Sequence, residues 1–289
     1  MNIPVKFLRP APHLWILIAV VFALGAGSAS SGAADSGLYG YGDECEPALA
    51  FYRQGWVEIL EHGRWTEAER LYREAVAVAP DCVIAKSVLA RITTDAVERK
   101  ALIADIQSNI DSVDVPGRLI LDPYLKTLML ISARDERREL GDDFRSDLMK
   151  MAINNYWTFL DQYPDEWAVR IEYLEWVHAR QGAEEALVSI RRMTQNTARD
   201  NFRLSYFPAY FYAELGDYEK ALELAREFVR QLGPGNWPQE HYIAAFIAYQ
   251  RGDFSAADES IKQTLLLDPR HLIAKRLSKK IDAALNDAS

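Results

Sequence analysis

The chain has 289 residues, 49% of them hydrophobic, and carries 33 basic against 42 acidic side chains for a formal net charge of −9. That is enough apolar material for one large domain or two ordinary ones. The negative balance repels phosphate backbones and anionic membrane surfaces, so no nucleic-acid partner is expected.

Residues 1–34 read as a signal peptide. Lys6 and Arg9 supply positive charge, residues 14–24 form an uninterrupted apolar run, and the small residues Gly27, Ala29, Gly32 and Ala34 follow. Cleavage is expected after Ala29 or Ala34. The apolar run is shorter than the roughly 20 residues of a spanning helix, which makes an uncleaved N-terminal membrane anchor, tethering the chain through residues 14–29, the alternative. No lipid anchor is expected, because the sequence before Cys45, GYGDE, lacks the Leu-x-Ala/Gly-Cys form of lipoproteins. Removing two basic residues with the leader leaves 31 basic against 42 acidic, a net charge near −11. Residues 35–45, rich in Gly, are expected to be a flexible lead-in.

From residue 46 the chain repeats itself. Glycines at 182, 216 and 252 are 34 and 36 residues apart, and prolines at 164, 234 and 269 end helical stretches. After Gly63, Gly216 and Gly252 an aromatic follows two residues on (Trp65, Tyr218, Phe254) and an alanine five residues on (Ala68, Ala221, Ala257). Glycine can adopt the left-handed conformation that closes a helix, and alanine lets two helices approach closely. This grammar resembles that of the tetratricopeptide repeat family, in which Gly-Asp-Tyr marks the turn of a helical hairpin and Ala, an aromatic and Pro follow. Gly63-Arg64-Trp65, Ala68, Tyr72, Ala75 and Pro80 fit it, and Ala152, Tyr156, Phe159 and Pro164 fit a second helix alone.

Several positions depart from the pattern. Trp56 and Glu175 stand where the family prefers a small residue, and the turn after Gly182 is one residue short, which puts Ala186 in the alanine slot. Residues 83–150 fit least. There Asp95 with Glu98 reads as a capping box opening a helix to about residue 112, Pro116-Gly117 as a break, and residues 119–140 as the next helix.

The resemblance implies an all-α fold: a right-handed superhelical solenoid of about six degenerate hairpins plus a C-terminal capping helix, over residues 46–289. The hairpins are expected at 46–79, 82–112, 118–163, 166–197, 201–232 and 237–267, and the closing helix at 270–286. Each buries its apolar face only against its neighbours.

Cys45 and Cys82 precede the first and second hairpins, one period plus a short extension apart, so stacking places them side by side. A disulfide between them suits an exported chain, and closing such a loop could add about 3–4 kcal/mol. Two lone cysteines offer too few ligands for a metal. No Gly-x-Ser-x-Gly, His-Glu-x-x-His or phosphate-cradling glycine loop occurs, and His62, His178, His241 and His271 fall in different repeats. No catalytic residue, metal or cofactor is therefore expected. His178 reads as a hydrogen-bonded packing residue. The run ARDERREL, residues 133–140, reads as a solvated helix face, and the polar RLSKKIDAALNDAS as the cap that keeps the array soluble.

In this family the first helix of each hairpin lines the concave side. Counting back from each turn glycine, the resemblance implies a binding groove of Glu172, Trp176 and Arg180 from the fourth hairpin, Arg203, Tyr206 and Tyr210 from the fifth, and Gln239, Tyr242, Phe246 and Tyr249 from the sixth. Such an aromatic band would offer large contact area to a protein or peptide. The same stripe also reads as helix packing: Phe207, Phe211 and Tyr212 share the helix, and a shift of one residue exchanges the faces. The function expected is a non-enzymatic protein-binding or scaffolding module in the bacterial periplasm. A small-ligand or glycan receptor using the same groove is the alternative.

Overall fold

The computed structural model describes residues 38–195 and 206–287. The expected signal peptide and Arg203 lie outside them. No strand occurs among the described residues, and the helices pair as the repeats imply. The first hairpin is α1 (Leu49–Val57), continued by a wider turn over Glu58–His62, with α2 (Trp65–Val78). The second is α3 (Val83–Ile92) with α4 (Ala96–Ser108), and the third α5 (Val115–Asp135) with α6 (Asp142–Gln162). Next come α7 (Trp167–Gln181) with α8 (Ala183–Gln195), α9 (Tyr206–Glu214) with α10 (Tyr218–Leu232), and α11 (Pro238–Gln250) with α12 (Phe254–Leu267). A closing helix, α13 (Leu272–Asp287), completes an all-α solenoid.

Local chemistry sets these boundaries. Gly63, Gly216 and Gly252 have φ of 72°, 84° and 82°, a region that side chains with a Cβ disfavour. Asp217 and Asp253 follow two of these glycines and cap the next helices, accepting from the Lys220 and Ala256 amides at 3.1 and 3.2 Å. Ala68, Ala186, Ala221 and Ala257 are fully buried, as close helix approach requires. Tyr218 wedges between hairpins and donates its hydroxyl to the Gln250 carbonyl at 2.8 Å.

The irregular middle also follows its caps. Asp95 accepts from the amides of Val97 and Glu98, but α4 stops at Ser108 and a single 3-10 turn, Ile110–Ser112, finishes the stretch expected as helix. Pro116 sits in the first turn of α5 rather than only breaking what precedes it, since proline needs no amide partner there and Asp114 caps the Gly117 amide at 2.8 Å. The helix expected to reach residue 140 ends at Asp135, where Arg137 turns the chain with φ of 55°.

The lead-in is not loose from residue 38 onward. Tyr39, Tyr41 and Cys45 are buried, and Tyr39 packs edge-on against Phe159 at 5.4 Å. Its amide donates to Glu166 Oε1 at 2.9 Å, its hydroxyl to Asp114, and the Tyr41 hydroxyl to Glu166 Oε2 at 3.4 Å. Two large rings on a short segment outweigh the flexibility that its glycines suggest. Cys45 and Cys82 form a disulfide with Cα atoms 4.7 Å apart, joining the foot of the first hairpin to the start of the second.

The solenoid does not stay open. Its last elements return to its first hairpin, so the two ends meet along a seam. His62 stacks on Trp237 with centroids 4.1 Å apart, and Arg64 lies 5.5 Å from the same ring. Asp268 accepts from the Thr66 amide and hydroxyl at 2.9 and 2.7 Å. Arg270 pairs with Glu69 and donates to Thr94. Gly63 serves the turn and the seam together, because a Cβ there would lie 2.6 Å from the Gln239 amide nitrogen.

Candidate binding site

Closure removes the open inner wall. Arg91 of α3 and Glu172 of α7 meet in the interior as a bidentate pair at 3.1 and 3.2 Å. The Arg91 guanidinium also lies 3.9 Å from the centroid of Tyr124, and the Tyr156 hydroxyl reaches Glu172 at 3.4 Å. Two charges in a water-poor interior are tolerated because each neutralises the other and rings cover the remainder.

The expected aromatic groove is corrected accordingly. Trp176, Tyr206, Tyr210, Tyr242 and Phe246 are 3, 2, 5, 0 and 2% exposed. Tyr210 and Phe246 do come from consecutive first helices, but their rings stack on each other at 3.7 Å and 14°, leaving no faces for a ligand. Tyr206 packs on Phe228 at 5.9 Å, and Tyr242 on His271 at 5.2 Å. Glu172 is consumed by Arg91, and Gln239 is buried against the Gly63 turn. Among the described members of the expected groove only Arg180 is exposed, while Tyr249 is half-buried beside Phe254. The aromatic stripe is core.

His178 and His271 serve packing and capping. His178 pairs with Glu214 at 2.6 Å and tilts against Phe211 at 4.8 Å, the packing role expected of it. His271 is fully buried at the start of α13, where its Nδ1 accepts the Ala274 amide at 3.2 Å, and burial pushes it down to about 3. It is therefore neutral at physiological pH.

A cleft of about 780 Å³ opens beside the seam. It lies between the end of α3 and the turn after it, the C-terminal end of α5 with the following loop, and α13. Apolar side chains, among them Trp65, Ile92, Leu130, Ile131 and Leu272, form part of the wall. Eight basic residues line the cleft against two acidic ones, so it is a cationic site in a chain whose net charge is −9.

Some of that charge is already answered. Arg91 belongs to the Glu172 pair, and Arg99 binds Asp135 and the Ala90 carbonyl. Arg138 lies 3.1 Å from Glu136, and Arg145 lies 3.8 Å from Asp142. Five of the cleft's cations stand in the sequence as Arg134, Arg137 and Arg138 of the ARDERREL run and as Arg276 and Lys280 of the closing helix. Each set alone looks like a solvated face; only the folded chain brings them to one cleft.

Comparison with known proteins agrees with this architecture. A family model described as tetratricopeptide repeat matches residues 60–93, which run from the turn after α1 through α2 and α3. No curated protein matches the chain.

Proposed function

We propose that this chain, a tetratricopeptide-repeat protein, is a non-enzymatic module that holds a protein partner or scaffolds an assembly in an exported compartment such as the bacterial periplasm. The observation that carries the reading is the cleft beside the seam, where basic side chains stand over an apolar wall in a scaffold otherwise packed to its centre. Hairpin repeats of this family bind other proteins, and a cleft of this volume accommodates a short segment of one. The Cys45–Cys82 disulfide supports an exported location, because such bonds persist in oxidising compartments. Among the described residues no helix is long and apolar enough to cross a membrane. A glycan receptor would need open ring faces, and the rings that suggested one are buried except for the half-buried Tyr249.

The test uses the full chain expressed in its native source. Crosslinking in intact cells should yield a discrete adduct, and the purified partner should then bind the purified chain with saturable, 1:1 or symmetric stoichiometry. A chain that crosslinks to nothing, or whose melting point rises only with a panel of soluble saccharides, overturns the proposal.

A further inference from the structure

We infer that the cleft binds an acidic segment of a polypeptide, one in which carboxylates alternate with aliphatic side chains, with Arg134 and Arg276 as its principal anion-binding residues. The inference rests on the protein-binding reading above and names the chemistry of the partner.

Its starting point is a deficit of counter-charge. Arg134 near the end of α5, Arg137 in the following loop and Arg276 on α13 all line the cleft and form no ion pair among the described residues. Among the described residues twenty-two ion pairs occupy most of the other arginines, so this vacancy is local rather than general in an acidic chain. Arg134 and Arg276 are moreover close enough to repel. Burial first, and the Arg134 charge second, hold the Arg276 guanidinium below its ordinary value. Two like charges lining one partly sheltered cleft cost free energy, and an anion bound by both recovers it.

The shape of the charge decides among anions. Planar guanidinium forks from two different helices suit carboxylates, each taking two parallel hydrogen bonds. Ile92, Leu130, Ile131 and Leu272 lie in the same wall, so a ligand that carries only charge leaves that surface wet. An acidic–aliphatic peptide satisfies both the cations and the apolar strip, and the cleft's sign opposes the chain's net charge of −9, which favours an acidic segment there. The closing experiment measures fluorescence anisotropy of a labelled decapeptide of alternating Glu and Leu, its Gln-for-Glu counterpart, and citrate as a competing free anion, with the full chain at low salt.

The acidic decapeptide should bind at least tenfold more tightly than the Gln counterpart, and its affinity should fall with added salt because the anchoring charges are partly exposed. Arg134→Gln with Arg276→Gln should weaken it at least tenfold. Neither substitution orphans a carboxylate, so the melting point should hold or rise, and the milder single variant Arg134→Gln, at an exposed position, provides a folded control. Equal binding of the two peptides, or full binding by a folded double variant, overturns the inference. So does displacement by citrate at concentrations comparable to the peptide, which marks a small-anion site. If the double variant still binds the crosslinked partner undiminished, this inference fails while the protein-binding reading stands.

Discussion

Glu166 is the residue on which the N-terminal segment hangs. It is buried, accepts the Tyr39 amide at 2.9 Å, and has Arg53 at 4.0 Å as its nearest cation, too distant to offset the loss of water; burial pushes it up to about 7. An unfolded glutamate ionises near 4.3, so between that pH and about 7 the folded chain holds a proton the unfolded chain has released. Glu166 therefore stabilises the fold most below its unfolded value, and this contribution disappears as pH rises through 7. His271 acts in the opposite sense: its folded value near 3 means that stability is gained as pH rises toward 6.5. Comparing Glu166→Gln with the parent isolates the first effect. Urea unfolding at pH 5 and pH 8 should show the parent losing on the order of 2–3 kcal/mol relative to the variant across that interval. A pH-independent difference between the two would mean that this carboxyl stays ionised.

At the scale of the element, the hairpins were legible because their signals are local. A glycine that must take positive φ, an aspartate that caps, and an alanine that admits a neighbour all act within one turn, and the observed helices begin within a few residues of the expected hairpins. Which face of each first helix looks outward was not local. In α9, YFPAYFYAE, apolar side chains occur all round, and a helix without a polar face belongs in a core. That signal was in the sequence but competes with the family's usual placement of binding residues. Tyr210→Ala should accordingly lower stability by about 3–5 kcal/mol, the cost of deleting a buried ring, and shift the urea midpoint. Tyr249→Ala, half-buried, should cost much less. A Tyr210 variant with an unchanged midpoint would place that ring on the surface.

For the whole molecule, the informative contacts are those no nearest-neighbour scheme contains. Thr66 and Asp268 are 202 residues apart, and nothing in a repeat grammar relates them. For the same reason neither the seam nor the cleft beside it could be read from the sequence, although every residue of both was in view. Asp268→Ala removes two hydrogen bonds to Thr66 and one to the Arg270 amide, and should cost about 1–3 kcal/mol. Hydrogen exchange should then quicken in α2 as well as in α12 and α13, with α6 and α7 unchanged. Faster exchange confined to the neighbourhood of residue 268 would mean that the ends are held by other contacts.

Closure also bears on how such a chain can evolve. An array with free ends lengthens by duplication, each new unit docking on the last, and shortens by simple loss. Here the first and last units are already each other's neighbours, so an inserted hairpin would have to widen the circle and empty the centre now filled by Arg91, Glu172 and their surrounding tyrosines. Descendants of this chain are thereby steered toward changing side chains in the cleft and away from changing the number of repeats.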